Sequence, residues 1–154
     1  MRASSRSSRG GGWVVAQFVL IALIVSALWL PPHVHSRTLH VLGVVAGAAG
    51  IALAAWAART LGRSLTPFPR PLPDSMLATS GPYGLVRHPI YLGGLFFFVG
   101  LSLLFSWPAL ALSGVLAVLW GAKTRVEEAH LTARFPEYEE YRRRVRRRLV
   151  PFVY

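Results

Sequence analysis

Apolar residues in this chain gather into long uncharged runs rather than short alternations. The first is Trp13 to Leu30, ended by Pro31-Pro32. At about 1.5 Å rise per residue, a helix of this length crosses a hydrocarbon core of about 30 Å, so the run predicts a transmembrane helix over 13–30. It follows a basic stretch, as the core of a cleaved signal peptide would, but no small-residue cleavage site comes after it and further apolar runs do, which favours a retained helix. Thr38 to Ala58 predicts a second span over 38–58, with Gly43, Ala46, Gly47, Gly50 and Ala54 giving it a small-residue face for close helix packing. Ile90 to Ala122 is again uncharged and is interrupted at Trp107-Pro108, which predicts two spans, 90–106 and 108–123, joined by a tight turn.

The polar segments complete the pattern. Between spans two and three, Pro67, Pro69, Pro71 and Pro73 alternate with Phe68, Arg70 and Leu72, a composition that favours extended polyproline backbone and a stiff connector or simple spacer at the membrane surface. After span four the helical pattern continues through Lys123 to Arg134. Pro136 then suits the first position of another helix, with Glu137, Glu139 and Glu140 in its first turn and arginines at its end, matching the helix dipole. Leu131, Phe135, Tyr138, Tyr141, Val145 and Leu149 recur every three or four residues, making an amphipathic segment expected over 124–150 to lie along the interface and cover the ends of the spans. The fold class expected is therefore all-α: a polytopic membrane protein of about four transmembrane helices plus a C-terminal amphipathic interfacial helix. It reads as one domain, 13–154, behind a basic tail, 1–12.

Composition agrees with this reading. Of 154 residues 53% are hydrophobic and 15% charged, and the mean hydropathy is +0.45, which argues against a water-soluble domain. The net charge of +11 comes from basic blocks, including Arg142 to Arg148, that could meet phosphate. Beside membrane spans such blocks are better read as cytoplasmic segments facing anionic headgroups, so the bilayer is the expected partner and nucleic acid is not. The N-terminal tail, the Arg59 to Arg87 connection and the C-terminal segment hold the arginines, whereas Pro31 to Arg37 has one and Ser106 to Pro108 none. This distribution predicts both termini in the cytoplasm, in a bacterial inner membrane. The absence of cysteine excludes disulfides, thiolate metal sites and a cysteine nucleophile, and no metal site is expected.

Two clusters could carry chemistry. Five of the six acidic residues lie between Glu127 and Glu140, Asp74 being the sixth. Glu127 and Glu128 fall where span four leaves the membrane, a costly place for a carboxylate without a partner or a task. Adjacent helical positions point about 100° apart, so at most one of the two faces a given cavity squarely. The second cluster, Gly81-Pro82-Tyr83-Gly84-Leu85-Val86-Arg87-His88-Pro89-Ile90-Tyr91-Leu92-Gly93, packs turn formers and polar groups into the entry to span three. Singly, Arg87 reads as a positive-inside anchor, His88 as a cap, Tyr91 as part of an aromatic belt, and the glutamates as partners of Arg125 or Arg134. Together, on the same side of the membrane, they can meet around a cytosolic ligand.

The string Gly81-Pro82-Tyr83, then Val86 to Gly93, then Arg125-Val126-Glu127-Glu128 with Leu131, Phe135, Tyr138, Tyr141, Val145 and Pro151, resembles the isoprenylcysteine carboxyl methyltransferase family and its phospholipid methyltransferase relatives. The resemblance runs in order from Leu77 to Phe152. It implies a multi-span helical fold with a cytoplasmic pocket for S-adenosylmethionine. Arg87, His88 and Tyr91 match its arginine-histidine-proline-x-tyrosine motif, Glu127 and Glu128 its glutamate pair, and Gly81, Pro82 and Tyr83 the preceding loop. Arg125 matches an arginine that handles the methyl acceptor, the catalytic assignment. The acceptor implied is amphiphilic: an isoprenylcysteine-like carboxylate, a phospholipid amine or a small thiol. A carboxylate acceptor needs only orienting, whereas an amine or thiol also needs a base, for which His88, His130 and the glutamates are candidates. Two other readings stand beside this one. One is an NADPH-dependent sterol or lipid reductase, whose relatives share an arginine-histidine-x-x-tyrosine segment but usually have asparagine where Ile90 stands here. The other is a non-enzymatic scaffold that binds anionic lipid.

Overall fold

The uncharged runs form helices close to the expected positions in a computed structural model that describes residues 10–149. In chain order these are α1 (Gly11–Ala27), α2 (Arg37–Leu61), α3 (Pro89–Phe105), α4 (Trp107–Arg134) and the short α5 (Tyr138–Arg144), with 3-10 turns at Gly62–Ser64 and Gly81–Gly84. No β-strand occurs among the described residues. Most of the basic N-terminal tail and the terminal Pro151 lie outside the described residues.

Local chemistry accounts for the helix boundaries. Ser36 caps α2 by accepting from the Leu39 amide at 3.4 Å, and Arg59 stands in its last turn, where a cation complements the dipole. Pro89 and Pro108 occupy the first turns of α3 and α4, where a missing amide hydrogen costs nothing. The break between those helices is a single extended residue, Ser106, whose hydroxyl donates to the Leu30 carbonyl at 2.8 Å. Helices α2 and α4 are long and apolar enough to cross a membrane, while α1 and α3 are apolar helices of 17 residues each. Their outward faces are also apolar: Val15, Phe18, Val44, Ile51 and Val118 are exposed, an arrangement suited to lipid rather than water.

Helices α2 and α3 pack backbone to backbone. A Cβ on Gly50 would stand 2.5 Å from the Gly93 carbonyl oxygen and the Phe97 nitrogen, and one on Gly100 would stand 2.5 Å from the Gly43 oxygen and the Gly47 nitrogen. The small-residue face expected of the second span is thus the contact surface, as membrane helices use when lipid offers no hydrophobic drive for association. Helix α4 packs against both α1 and α3.

The bundle has two distinct ends. At one, Trp107 donates its amide to the Pro32 carbonyl and Val34 to that of Phe105, gathering the 28–36 and 106 connections. At the other, Gly10 abuts Pro69, and the 62–88 connection meets the residues after α4. Arg37 belongs to the first end and the other described arginines to the second.

The C-terminal segment departs from expectation in two respects. Helix α5 begins after Pro136 with Glu139 and Glu140 in its first turn and arginines in its last, but it stops at Arg144 instead of running to 150. The reason is tertiary: the Arg147 and Arg148 carbonyls accept from the Arg87 and His88 amides at 2.9 and 3.0 Å, which holds the chain extended. The stripe expected to rest along the interface is buried against protein, with Tyr138, Tyr141, Val145 and Leu149 all inside.

The glycine contact gives a paired prediction. Gly50→Ala or Gly93→Ala is expected to destabilise the protein by about 1–3 kcal/mol or more through overpacking against backbone. Gly47→Ala, whose Cβ meets nothing within 4 Å, is expected to be neutral or stabilising. Melting of the three variants in detergent checks the contrast.

Candidate functional site

The loop before α3 is shaped by Gly81, whose φ of +57° suits glycine, and by Trp56 and Thr60 of α2, which stand 3.3–3.4 Å from where its Cβ would be. The 3-10 turn that follows buries Pro82 and Tyr83. Tyr141 of α5 donates its hydroxyl to the Tyr83 carbonyl at 2.7 Å, tying the C-terminal segment to this loop.

Beyond the turn lies a buried ionic cluster centred on Glu128. Its Oε1 accepts from Arg87 Nε at 2.8 Å and faces His88 Nε2 at 3.2 Å, while its Oε2 accepts from Arg148 Nε and Nη2 at 3.1 and 2.9 Å. Arg87 Nη1 also donates to the Val145 and Arg146 carbonyls, both at 2.8 Å. Loop, α4 and C-terminal segment are thereby pinned at one point.

Glu127 points elsewhere, as the 100° step requires. It accepts from the Tyr91 hydroxyl, its Oε2 lies 3.6 Å from His88 Nδ1, and its Oε1 lies 4.0 Å from Lys123 Nζ. His88 thus faces one carboxylate with each ring nitrogen.

Glu127, His88, Tyr91, Arg87 and Tyr83 open onto one cavity of about 430 Å³, a size usual for small-ligand sites. Its walls are mainly apolar. Pro67, Phe68, Pro69 and Pro71 form one side, so the proline-rich connector is a cavity wall and not a bare spacer; Leu131, Phe135, Tyr138 and Tyr141 form another. Burial pushes the Tyr141 hydroxyl up to about 12 and raises those of Tyr83 and Tyr138, so all three remain donors at neutral pH. Tyr138 lines the cavity, while its hydroxyl is buried and has no hydrogen-bond partner among the described residues. Such an orphan costs about 1–3 kcal/mol unless a ligand meets it.

The structure brings most of the expected residues together but divides them. Tyr83, Arg87, His88, Tyr91 and Glu127 line the cavity; Glu128 stands behind it, orienting Arg87 and His88; Gly81 and Pro82 shape the loop without lining it. Arg125 does not reach the site. It is exposed, because two helical positions before Glu127 is about 200° around the helix. His130 does not line the cavity either.

Among the liners that escaped the sequence reading are Gln17, Lys123 and Tyr138. The first had a signal, being the one amide side chain in an otherwise apolar run. Lys123 looked like the end of a span, and Tyr138 looked like one apolar position in a stripe.

Removing Glu128 is expected to leave Arg87 buried without its counter-charge. Glu128→Ala should cost about 3–5 kcal/mol and release the C-terminal segment, read as a lower melting temperature and faster tryptic cleavage among Arg142 to Arg148.

Comparison with known proteins gives two results. The model of the phospholipid methyltransferase family matches residues 38–138. The cobalt-zinc-cadmium resistance protein CzcN of Cupriavidus metallidurans is 35% identical over 147 residues, covering 88% of this chain and 61% of its own length. The nickel-cobalt-cadmium resistance protein NccN of Alcaligenes xylosoxydans is 34% identical over 143 residues, with 88% and 62% covered. The chain thus spans about three fifths of the length of these curated relatives.

Proposed function

The chain belongs to the phospholipid methyltransferase family, a family of membrane methyltransferases, and on that premise we propose that it moves the methyl group of S-adenosylmethionine to an amphiphilic acceptor at the cytoplasmic face of the inner membrane. The observation that carries the reading is the apolar cavity lined at one place by the polar groups of Glu127, His88 and Tyr91. The family match favours methyl transfer over the reductase alternative, and a scaffold would leave that cavity and its polar groups without a use.

The residues present suit the cofactor. Glu127 offers a carboxylate to hydroxyls, to an ammonium group or to a sulfonium, and His88 and Tyr91 hold it toward the cavity. The Tyr138 ring adds to the apolar wall of the cavity. Arg87 and Glu128 act by position: with the guanidinium and both carboxylate oxygens engaged, they fix His88 and the loop. The proline wall and the α5 tyrosines give the cavity a mainly apolar lining beside these polar groups. When bound, S-adenosylmethionine supplies a methyl group already activated by its sulfonium, so the protein's task is alignment of the acceptor. The lateral wall, made of a surface connector and a short helix, suits an acceptor that brings an apolar tail. The metal-resistance names of the two relatives supply a physiological setting for this proposal, growth under cobalt, zinc, cadmium or nickel.

Four helices side by side, with the arginines gathered at one end, support four crossings with that end in the cytoplasm. Because the chain has no cysteine, single replacements report this directly. In intact cells His35→Cys is expected to react with a membrane-impermeant maleimide and Asp74→Cys to be protected; the reverse pattern rejects the orientation.

Titration of the purified protein with S-adenosylhomocysteine tests the cofactor. Glu127→Gln is expected to weaken binding at least about tenfold. Membranes given cofactor with a labelled methyl group should yield label in an amphiphilic fraction. Folded protein that neither binds nor transfers would end the proposal.

A further inference from the structure

Histidines 33, 35 and 40 gather at the end of the bundle remote from the cavity. The chain there forms a short ladder. His33 pairs antiparallel with Ser106, Val34 donates its amide to the Phe105 carbonyl at 3.1 Å, and Trp107 donates to that of Pro32 at 3.2 Å. Extended backbone alternates its side chains, so Val34 turns inward and is buried while His33 and His35 share the outer face, both exposed. The residue between them is held from the other side as well, because His40 of α2 donates its Nε2–H to the Val34 carbonyl at 3.1 Å.

Hydrogen bonding also sets which ring nitrogen of His33 is free. A carbonyl only accepts, so the 3.2 Å contact from His33 Nδ1 to the Phe105 oxygen places the hydrogen on Nδ1. The Nε2 of the neutral ring keeps its lone pair and has no partner among the described residues. Metal-ligating imidazoles have this form, with the far N–H tied to a carbonyl and the near nitrogen bare. The His35 ring lies edge-on to that of His33, with centres 6.5 Å apart, and its side chain makes no hydrogen bond among the described residues. Two imidazoles on one tetrahedral ion have centres about 5 Å apart, a gap that rotation of the exposed His35 side chain closes. We propose that His33 and His35 form a two-imidazole site for a divalent transition-metal ion, with water completing the coordination. All six acidic residues belong to the other end, in the 62–88 connection, the last turns of α4 and the C-terminal segment, so no carboxylate is at hand for magnesium or calcium. Imidazole donors alone select ions such as nickel, copper or zinc. Arg37, the cation at this end, is exposed, and water and salt screen it. In the orientation proposed above, the ion arrives from the side of the membrane opposite the cytoplasm.

The test uses the full chain, carrying no added histidines, in phosphatidylcholine nanodiscs, titrated calorimetrically with nickel, copper and magnesium chlorides. Nickel and copper are expected to bind at about one equivalent and at least about tenfold tighter than magnesium. His33→Ala and His35→Ala should each weaken nickel binding about tenfold or more, whereas His130→Ala, at the other end of the bundle, should leave it within about twofold. The His35 side chain is exposed and has no hydrogen bond to lose, so that variant should melt as the parent does, and a loss of binding there reports the ligand and not the fold. Electron paramagnetic resonance of the copper complex should show coupling to two imidazole nitrogens, reduced to one in either variant. Nickel binding no tighter than magnesium overturns the proposal, as does nickel binding that survives His35→Ala or copper coupled to a single nitrogen in the parent.

Discussion

The carboxylate of Glu128 is the point from which the polar end of the bundle takes its shape. Taking an anion out of water is costly, and here that cost is met by two arginines and a histidine drawn from two separate stretches of chain. Arg87 brings the loop before α3, Arg148 brings the C-terminal segment, and the glutamate itself comes from α4. Once these are fixed, the backbone pairing of residues 87–88 with 147–148 follows, α5 folds back over the bundle, and the cavity acquires a wall. Because neighbouring helical positions diverge by about 100°, the same anchoring turns Glu127 toward the cavity. Two adjacent carboxylates thus do different work, one inside the structure and one at its opening.

The backbone contact between α2 and α3 supplies the platform for this arrangement. Glycines 43, 50, 93 and 100 let the two helices meet without side chains between them. That brings Trp56 and Thr60 of α2 against Gly81 and sets the entry to α3, so that His88 and Tyr91 arrive at Glu127 together. The rigid parts of the site are therefore on the helices and their junctions. Its proline wall lies on a connection between helices, and the tyrosines of the other wall lie on a seven-residue helix. The proposed methyl transfer to a tailed acceptor uses such a division: fixed polar groups, and a boundary made of a connector and a short helix.

Charge is arranged along α4 with a similar economy. Lys123 and Glu127, one turn apart, stand 4.0 Å from each other at closest approach, a distance at which each moderates the other without closing a hydrogen bond. Lys123 and Glu127 therefore border the cavity on the same helix face. Gln17 reaches this face only because α1 packs on α4, which makes the first helix a contributor to the site and not just an anchor.

Much of the fold was legible in the linear pattern. Uncharged run length and the positions of Pro31, Pro89 and Pro108 located four apolar helices; the glycines of 38–58 announced a tight helix contact; and the loop from Gly81 together with the Glu127-Glu128 pair marked two places that the fold brings together. Residue order determines these things because helix formation, capping and charge placement depend on neighbours within one or two turns. What the chain does with each marked residue was decided by tertiary structure. Arg125 lies outside the site, Glu128 lies behind it, Tyr138 and Lys123 lie within it, and the C-terminal segment ends its helix at Arg144. Each of those outcomes depends on a partner forty or more residues away, or on the angle at which a helix face meets its neighbour. Neither is set by spacing along the chain.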